Sequence, residues 1–297
     1  MTGINYKQKE TSKILKIKLK LIHSHIKKIL LSFFLISFSC SNSLKVLNIM
    51  TYNIRLDTQE DGINQWIHRK KGLVSLIRKL NPDILGIQEG LPNQILYLSK
   101  QLEGYSLIGN GREGENNGEY CAIYYKNKKF KLVKDETLWL SETPELPSIG
   151  WDAALKRIVT VGVFTILNSD KKLVVYNSHF DHIGKIAREK SVGVIINHIK
   201  VNDYFKNAIV VMGDLNSIPS ETPIKFLKNS FDDTFDKFQH KKPYGTFNGF
   251  DLKSKLTKRI DFIFTKNLNT IKYKRINEKL QNGLWPSDHL PILVTTK

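Results

Sequence analysis

The fold is decided by the stretch Trp285-Pro286-Ser287-Asp288-His289-Leu290-Pro291, close to the C-terminus. Adjacent residues on an extended strand point to opposite faces, so Asp288 and His289 can share one pocket only from a loop. The prolines on each side favour a loop, because each one fixes φ and removes a backbone donor. We therefore expect this stretch to place two polar side chains in a pocket at the end of a buried strand over 290–294.

The same arrangement recurs along the chain, where a polar residue follows an apolar, strand-like run. The residues in this position are Asn53, Glu89, His179 and Asp214. Together with Asp288 they predict a single crowded, mostly acidic edge. Crowded carboxylates repel one another unless a cation lies among them, and oxygen-rich sites favour Mg²⁺ or Mn²⁺ over Zn²⁺. No Cys/His spacing typical of a zinc site is present.

Apolar periodicity predicts the secondary structure. Strands are predicted over 45–54, 84–88, 119–125, 130–138, 157–167, 173–178, 208–212, 260–264, 271–276 and 290–294, and helices over 66–80, 93–102, 186–205 and 222–228. Strands outnumber helices, and the helices come at intervals. This pattern predicts an α/β (α+β) fold, a four-layer sandwich in which two mixed β-sheets face each other and helices lie outside.

The chain has 297 residues and a net charge of +18. Residues 1–40 hold eight lysines and one glutamate, which leaves +11 for the rest. A basic body suits a polyanionic partner such as nucleic acid, a phosphorylated sugar or an anionic membrane, but scattered lysines are equally typical of a solvated surface. The sequence has no cluster of Lys and Arg interleaved with aromatics, and the loop 140–150 is acidic, which argues against a DNA duplex as substrate.

The N-terminal segment 1–40 resembles a secretory signal. Lys27 and Lys28 precede an apolar run over 29–39, which is too short for a typical membrane span of about 20 residues. Cys40 follows, and then Ser41-Asn42-Ser43, as in bacterial lipoprotein signals. We predict lipidation at Cys40 and a single domain over 41–297; an uncleaved anchor is the alternative. Cys121 would then be a lone thiol, predicted to be buried in a strand.

Six short motifs, in order, resemble those of the endonuclease/exonuclease/phosphatase family, which has the fold of pancreatic deoxyribonuclease. They are Thr51-Tyr52-Asn53-Ile54-Arg55, Gly86-Ile87-Gln88-Glu89, Asn177-Ser178-His179-Phe180-Asp181-His182, Gly213-Asp214-Leu215-Asn216-Ser217, Arg259-Ile260-Asp261-Phe262-Ile263 and Ser287-Asp288-His289. Glu119-Tyr120, Gly150-Trp151-Asp152-Ala153-Ala154 and Arg157 further resemble a bacterial branch that is often secreted or lipidated. Any one motif is weak, but six in order are specific.

The resemblance implies a role for each matching residue. Asn53, Glu89 and Asp288 would bind Mg²⁺, with Mn²⁺ as the other candidate. Asp214 would align or deprotonate the attacking water, and Asn216 would hold a phosphate oxygen. The remaining catalytic residues are His289, as a base or phosphate contact oriented by Asp261, and His179, held by Glu119, as a donor to the phosphate.

Other residues are weaker candidates. Arg157 would contact substrate or else pack at a strand start, and Asp181 and His182 would contact substrate or else belong to a solvated loop. Thr246 and Phe247 would line the leaving-group pocket, although a core position is favoured for Phe247.

The sequence therefore predicts an exported, lipid-anchored or secreted Mg²⁺-dependent hydrolase of phosphate esters. The substrate would be a nucleotide, a sugar phosphate, a lipid head group or a nucleic acid, and we expect a monomer. Two alternatives remain: an extracellular metal-dependent nuclease, and a non-catalytic binding module that retains the fold. The second would be marked by loss of a metal ligand or a histidine, and none is missing.

Overall fold

The structure is a computed structural model that describes residues 46–169, 171–238 and 244–297, together with the isolated positions 20, 23 and 25. The chain falls into two units, Met1–Ser43 and Leu44–Lys297. Apart from those three positions, the predicted signal segment 1–40 with Cys40 lies outside the described residues, so both the signal and the lipidation remain predictions. Within the described part, no helix combines the length and apolarity that crossing a membrane requires.

Two six-stranded sheets form the centre of the second unit, counted over the described residues. The first contains β1 (Leu47–Asn53), β2 (Ile84–Gln88), β3 (Tyr105–Ile108), β4 (Ile123–Lys126), β11 (Thr270–Arg275) and β12 (Ile292–Thr296), in the spatial order β11-β12-β1-β2-β4-β3. The second contains β5 (Phe130–Trp139), β6 (Ile158–Ile166), β7 (Lys172–His179), β8 (Ala208–Asp214), β9 (Asp232–Asp233) and β10 (Asp261–Lys266), in the order β5-β6-β7-β8-β10-β9. Both are mixed, because β1 pairs with β2 and β7 with β8 in parallel while their other pairs are antiparallel.

Helices cover the outer face of each sheet. They are α1 (Trp66–Leu80), α2 (Pro92–Gln101), α3 (Lys185–Val201) and α4 (Thr222–Lys228), with 3₁₀ turns at Gln59–Asn64 and Tyr204–Lys206. One apolar cluster joins side chains of both sheets, a second joins the first sheet to α1 and α2, and a third joins the second sheet to α3 and α4. The predicted four-layer sandwich is confirmed.

A buried network of polar side chains crosses the interface between the two sheets. Asn177 on β7 donates through its amide to the carbonyl oxygens of Ile87, at 2.9 Å, and Ala122, at 2.8 Å. Gln88 on β2 donates to Oδ1 of Asn177 at 2.6 Å and to Oγ1 of Thr51 at 3.1 Å. We call Thr51, Gln88 and Asn177 the amide lock. A buried amide is costly unless it is hydrogen-bonded, so these contacts favour one alignment of the sheets.

The observed elements differ from the predicted ones at several boundaries. Strands β3 and β9 were not predicted, and residues 119–122 are outside β4, so that Cys121 is buried but does not lie in a strand. The predicted helix over 186–205 was too long: α3 ends at Val201, and Asp203 beyond it has a left-handed φ of 54°. Pro291 lies before the last strand, which begins at Ile292.

The register of the second sheet aligns three of the predicted site residues in one row. Asp214 ends β8, which lies between β7 and β10. It is paired with His179 across the parallel ladder and with Asp261 across the antiparallel ladder. Paired residues on adjacent strands are neighbours, so the sheet itself brings these three side chains together.

Candidate active site

The site lies at the strand ends, where the backbone adopts left-handed conformations. Arg55, Glu89 and Asn216 have φ values of 57°, 62° and 45°, and Gly213 has a φ of 143°. Non-glycine residues rarely adopt positive φ, and such strained positions cluster at functional sites. Each of the four adjoins or belongs to a motif that was identified in the sequence.

His289 is held by a carboxylate behind it. Its Nδ1 lies 2.9 Å from Oδ2 of Asp261, and its Nε2 lies 3.6 Å from Oδ2 of Asp214. Burial disfavours the charged ring, but the carboxylates of Asp261 and Asp214 outweigh burial and hold the pKa of His289 well above its usual value. The predicted orientation of His289 by Asp261 is present, and it directs Nε2 towards Asp214.

His179 is in the opposite charge state. Burial lowers the pKa of His179 well below its usual value, and the positive charges of Arg157 and His289 lower it further. Its Nε2 lies 3.5 Å from Oδ2 of Asp214 and 3.1 Å from the amide nitrogen of Asn216, which also donates to the carbonyl of Phe180 at 3.0 Å. Asp214 therefore faces one neutral and one cationic imidazole.

Asp214 is buried but well supplied with donors. Its Oδ2 accepts from the amide of Asn53 at 3.0 Å, and its Oδ1 accepts from the backbone N–H of Asn216, also at 3.0 Å. Burial raises the pKa of Asp214 to about 7, with opposing contributions from His289, which lowers it, and Asp261, which raises it. A carboxylate with a pKa near neutrality suits general-base chemistry.

Glu89 and Asp288 both lie close to the guanidinium of Arg55. The Arg55 guanidinium lies 3.9 Å from Oε2 of Glu89 and 4.0 Å from Oδ2 of Asp288. Burial raises the pKa of Asp288 to about 6; His289 opposes this, and Glu89 adds to it. Two acids near one another in a buried site favour positive charge between them.

Ligand atoms suited to a metal ion also converge. Glu89, His179 and Asp214 each offer one within 4.8 Å of the others, as do Asp214, Asp261 and His289. Oδ1 of Asp261 is buried without a hydrogen-bond partner. Each group offers two carboxylates and one imidazole, and the carboxylate oxygens suit a hard divalent cation.

Asn53 lies behind the carboxylates. Its amide nitrogen donates to Oε1 of Glu89 at 2.9 Å as well as to Asp214, while its oxygen accepts from the backbone N–H of Arg55 at 3.0 Å. In this orientation the amide nitrogen of Asn53 links Glu89 and Asp214. Its predicted role as a metal ligand would require a flip of the side-chain amide, so that the oxygen faces these carboxylates.

These groups line a cavity of about 570 Å³. Its wall includes the predicted residues Glu89, Glu119, Arg157, His179, His182, Asp214, Asn216, Phe247, Asp288 and His289. It also includes residues that were not predicted as site residues, namely Arg55, Leu56, Arg112, Leu155, Ile218, Glu221, Lys258 and Ile260. Several of these adjoin a motif, which is the only signal in the sequence that could have identified them.

Glu119 does not hold His179 as expected. Its carboxylate pairs with Arg112, 2.9 Å away, and burial raises the pKa of Glu119 although Arg112 opposes the shift. The reason lies in the loop 109–118, where the backbone N–H of Arg112 donates to the carbonyl of Glu119 and brings the two side chains together.

Asp181 is absent from the cavity wall and is not part of a solvated loop. It is 1% exposed, and its Oδ1 accepts from the backbone N–H groups of Ile183 and Gly184 at 2.9 and 2.7 Å, just before α3. Its Oδ2 lies 3.4 Å from Nε of Arg157, whose Nη2 lies 3.0 Å from Nδ1 of His182. Asp181 thus orients Arg157 from behind, while Arg157 and His182 reach the cavity.

Thr246 and Phe247 border the histidine. Oγ1 of Thr246 accepts from the backbone N–H groups of Ile260 and Asp261, each at 3.1 Å. The ring of Phe247 packs edge to face against His289, with centroids 5.1 Å apart. Phe247 lines the cavity, whereas Thr246 is fully buried and fixes the backbone behind it.

Solved structures resemble this one over most of the chain. A mannosyl-6-phosphatase of Bacteroides thetaiotaomicron is 31% identical with a TM-score of 0.78, covering 84% of this chain and 99% of that one. An endonuclease/exonuclease/phosphatase of Bacteroides vulgatus is 30% identical with a TM-score of 0.80, covering 86% and 99%.

Sequence comparison agrees with the structural one. An uncharacterized protein of Acanthamoeba polyphaga mimivirus, L388, is 28% identical over 267 residues, covering 84% of this chain and 99% of its own length. A model of the endonuclease/exonuclease/phosphatase family, whose members hydrolyse phosphate esters, matches residues 50–289. With the two facing sheets and the ordered motifs at their strand ends, this match establishes that the chain belongs to the endonuclease/exonuclease/phosphatase family.

Proposed function

We propose that this protein is a Mg²⁺-dependent phosphatase that releases phosphate from a small phosphorylated sugar. The observation that carries the proposal is a series of contacts in which His289 lies between Asp261 and Asp214. A neutral His179 faces Asp214 from the other side, and Glu89 and Asp288 lie nearby. It combines a base, a cationic imidazole and a pair of acids suited to a cation in one cavity.

Each residue then has a task. Glu89 and Asp288 hold the cation, which when bound neutralises charge on the phosphate oxygens. Asp214 accepts a proton from the attacking water, since its pKa lies near neutrality. The imidazolium of His289 and the amide of Asn216 stabilise the negative charge that develops on the phosphate. His179 completes the cavity wall as a neutral hydrogen-bonding group.

Two observations support a small substrate. A cavity of about 570 Å³ lies within the range of sites that bind small molecules, roughly 300–1,000 Å³. The Bacteroides thetaiotaomicron relative, similar over almost its whole length, is described as a mannosyl-6-phosphatase. A sugar phosphate is therefore our first choice.

A nuclease is the second candidate, and the cations of the cavity favour it. Arg55, Arg112, Arg157 and Lys258 come from separate parts of the chain but meet at the cavity wall. Spacing along the sequence could not reveal this convergence. Such a wall attracts any phosphate, whether in a monoester or in a nucleic acid backbone.

The test is an assay of purified residues 41–297 with Mg²⁺, Mn²⁺ or EDTA. The substrates are mannose 6-phosphate, p-nitrophenyl phosphate, bis-p-nitrophenyl phosphate, sphingomyelin, single-stranded RNA and supercoiled plasmid. We expect EDTA-sensitive phosphate release from the monoesters to be the fastest reaction. Preferred cleavage of the plasmid or RNA would favour the nuclease function over the phosphatase function. If no substrate is hydrolysed, the non-catalytic binding module is the remaining alternative.

Variants of the site test the assigned roles. Asp214→Asn and His289→Ala should each lower kcat by about 10²–10³, the usual effect of removing one electrostatic group, while the fold survives. Asp203→Asn and His68→Ala are matched controls, because both residues are exposed and neither lines the cavity. Near-full activity of either site variant on the best substrate would contradict its role.

A further inference from the structure

One cation near the site has no role in the chemistry just described. Arg69 of α1 is 1% exposed. In the described part of the chain no carboxylate lies within 4.0 Å of its guanidinium, although Asp61, Glu89 and Asp288 act on it from a greater distance. Burial lowers the pKa of Arg69, partly offset by these acids. Burying an arginine without a close carboxylate is costly, so its position needs a compensating interaction.

The compensation comes from backbone carbonyl oxygens. Nε donates to Asn64 at 2.8 Å, Nη1 to Ile54 and to Pro286 at 3.2 Å, and Nη2 to Arg55 at 2.7 Å and to Leu56 at 3.2 Å. The rings of Trp66 and Phe250 lie 5.3 and 5.7 Å from Cζ. One side chain thus joins segments that lie more than two hundred positions apart in the sequence.

The first of these segments, 54–56, orients Glu89. The backbone N–H of Leu56 donates to Oε2 of Glu89 at 3.1 Å, and the N–H of Arg55 fixes the amide of Asn53, which donates to Oε1. Both oxygens of Glu89 are therefore oriented by a segment whose carbonyl groups bind Arg69.

The second segment, 286–288, carries Asp288. Its Ser287 hydroxyl donates to the carbonyl of Asn53 at 2.7 Å, which ties it to the residue just before the first segment. Arg69 binds the carbonyl next to this link, at Pro286. The segment that orients Glu89 and the segment that carries Asp288 thus share one buried guanidinium.

We propose that Arg69 is a positioning residue that clamps segments 54–56 and 286–288 together, so that Glu89 and Asp288 are preorganised to bind a divalent cation. The inference rests on the proposed function in one respect only, namely that the site takes Mg²⁺. Preorganised ligands bind more tightly because less order has to be imposed on binding. Residues that orient ligands without touching the metal typically contribute 10–100-fold in affinity or activity.

The test is the variant Arg69→Lys in the full chain. Lysine keeps the positive charge, but a single ammonium group with three donors cannot reach five carbonyl oxygens. We measure the Mg²⁺ dissociation constant by calorimetry without substrate, and kcat and KM at saturating Mg²⁺. The dissociation constant should rise at least tenfold and kcat should fall about 10–100-fold. KM should change by less than about threefold, because the cavity wall at Arg112, Arg157 and Lys258 is untouched.

Two controls separate positioning from stability. Arg78→Lys alters another arginine of α1, which donates to the carbonyl of Gln101 at the end of α2, and should leave Mg²⁺ binding unchanged. Asp83→Asn removes a buried charge that pairs with Lys126 and Lys129, and should lower the melting temperature without weakening Mg²⁺ binding.

Each outcome decides the matter. Wild-type Mg²⁺ affinity in folded Arg69→Lys overturns the inference, as does an equal loss in Asp83→Asn. If Arg69→Lys does not fold, Ser287→Ala, which removes the link from Ser287 to the residue just before the first segment, should weaken Mg²⁺ binding several-fold, and unchanged affinity overturns the inference. A wild type that binds Mg²⁺ but hydrolyses no ester overturns only the proposed function, whereas a wild type that binds no Mg²⁺ overturns the clamp.

Discussion

Asp214 illustrates how neighbouring side chains set the chemistry of a single residue. Its Oδ2 lies between Nε2 of His179 and Nε2 of His289, at 3.5 and 3.6 Å. Burial, with Arg157 adding to it, lowers the pKa of His179, whereas Asp261 and Asp214 outweigh burial and raise the pKa of His289. Identical side chains thus acquire different states from their surroundings, which is a common way to divide acid and base roles.

The raised pKa values of the buried acids predict how metal binding depends on pH. Burial raises the pKa of Asp214 to about 7 and of Asp288 to about 6, so both are increasingly protonated as the pH falls below these values. A metal bound by Asp288 must displace its proton, so affinity rises with pH. With a pKa of about 6 at Asp288, Mg²⁺ should bind about fourfold more tightly near pH 8 than near pH 5.5.

Calorimetry at constant ionic strength checks this expectation. Asp214→Asn is the matched control, because it removes an acid that is not a proposed ligand and should leave the dependence set by Asp288. An affinity that does not change over the same range would contradict the raised pKa of Asp288.

Sequence reasoning identified residues better than it identified their partners. His179, Asp214 and His289 each stand next to an apolar run, and all three reach the cavity. Which carboxylate holds which base depends on loop paths, so Glu119 pairs with Arg112 and not with His179. The role of Arg69 could not be predicted from the sequence. Nothing in the helical pattern of 66–80 distinguishes Arg69 from an exposed arginine on the surface of the helix.

At the scale of elements, the strand ends carry the site and could be predicted well. Helix α1 covers 66–80 as predicted, since Asn81 adopts the left-handed conformation that ends a helix. The two missed strands have four and two residues, too short to give a periodic signal. The end of α3 was missed because apolar residues continue beyond Val201 into a 3₁₀ turn.

The end of β8 should not tolerate a side chain at Gly213. A Cβ there would lie 1.9 Å from the carbonyl oxygen of Ser178 on β7, at a φ of 143°. Gly213→Ala should cost at least about 3 kcal/mol of unfolding free energy, from backbone strain and from pushing β7 away from β8. Because Ser178 and Gly213 immediately precede His179 and Asp214, activity should also fall in the fraction that stays folded.

Denaturant unfolding and steady-state kinetics measure both effects. Gly193→Ala is the control, because a Cβ at this exposed position within α3 meets nothing within 4 Å. It should raise stability by about 0.5–1 kcal/mol through helix propensity. A Gly213→Ala protein as stable and active as the wild type would contradict the close approach of the two strands.

At the scale of the whole molecule, the number and order of predicted strands and helices were enough to predict the four layers. The sequence did not predict where the charges gather in the folded protein. The sequence has 46 Lys and Arg residues, and no run along it marks the cavity. Folding brings four of these cations together from distant segments. Only the paths of the loops determine that convergence, and no local pattern encodes them.

The predicted attachment of the molecule to a membrane depends on Cys40. Expressed in a bacterial host, the wild type should incorporate labelled palmitate and sediment with membranes, because acyl chains on that cysteine would partition into lipid. Cys40→Ser should lose the label, whereas Cys121→Ser should keep it, since Cys121 is a buried residue of the folded unit. Unlabelled wild type, or labelled Cys40→Ser, would contradict lipidation at this position.

The amide lock constrains how the sandwich comes apart. Its hydrogen bonds involve the residue just before Glu89 and the residue two positions before His179. They therefore join the two sheets at the edge that carries the site. Farther from that edge, an apolar cluster joins the two sheets, and its contacts can separate at lower cost. The backbone amide protons next to Gln88 and Asn177 should therefore be among the last to exchange with solvent. Other parts of the sandwich can open locally while the catalytic side chains keep their positions.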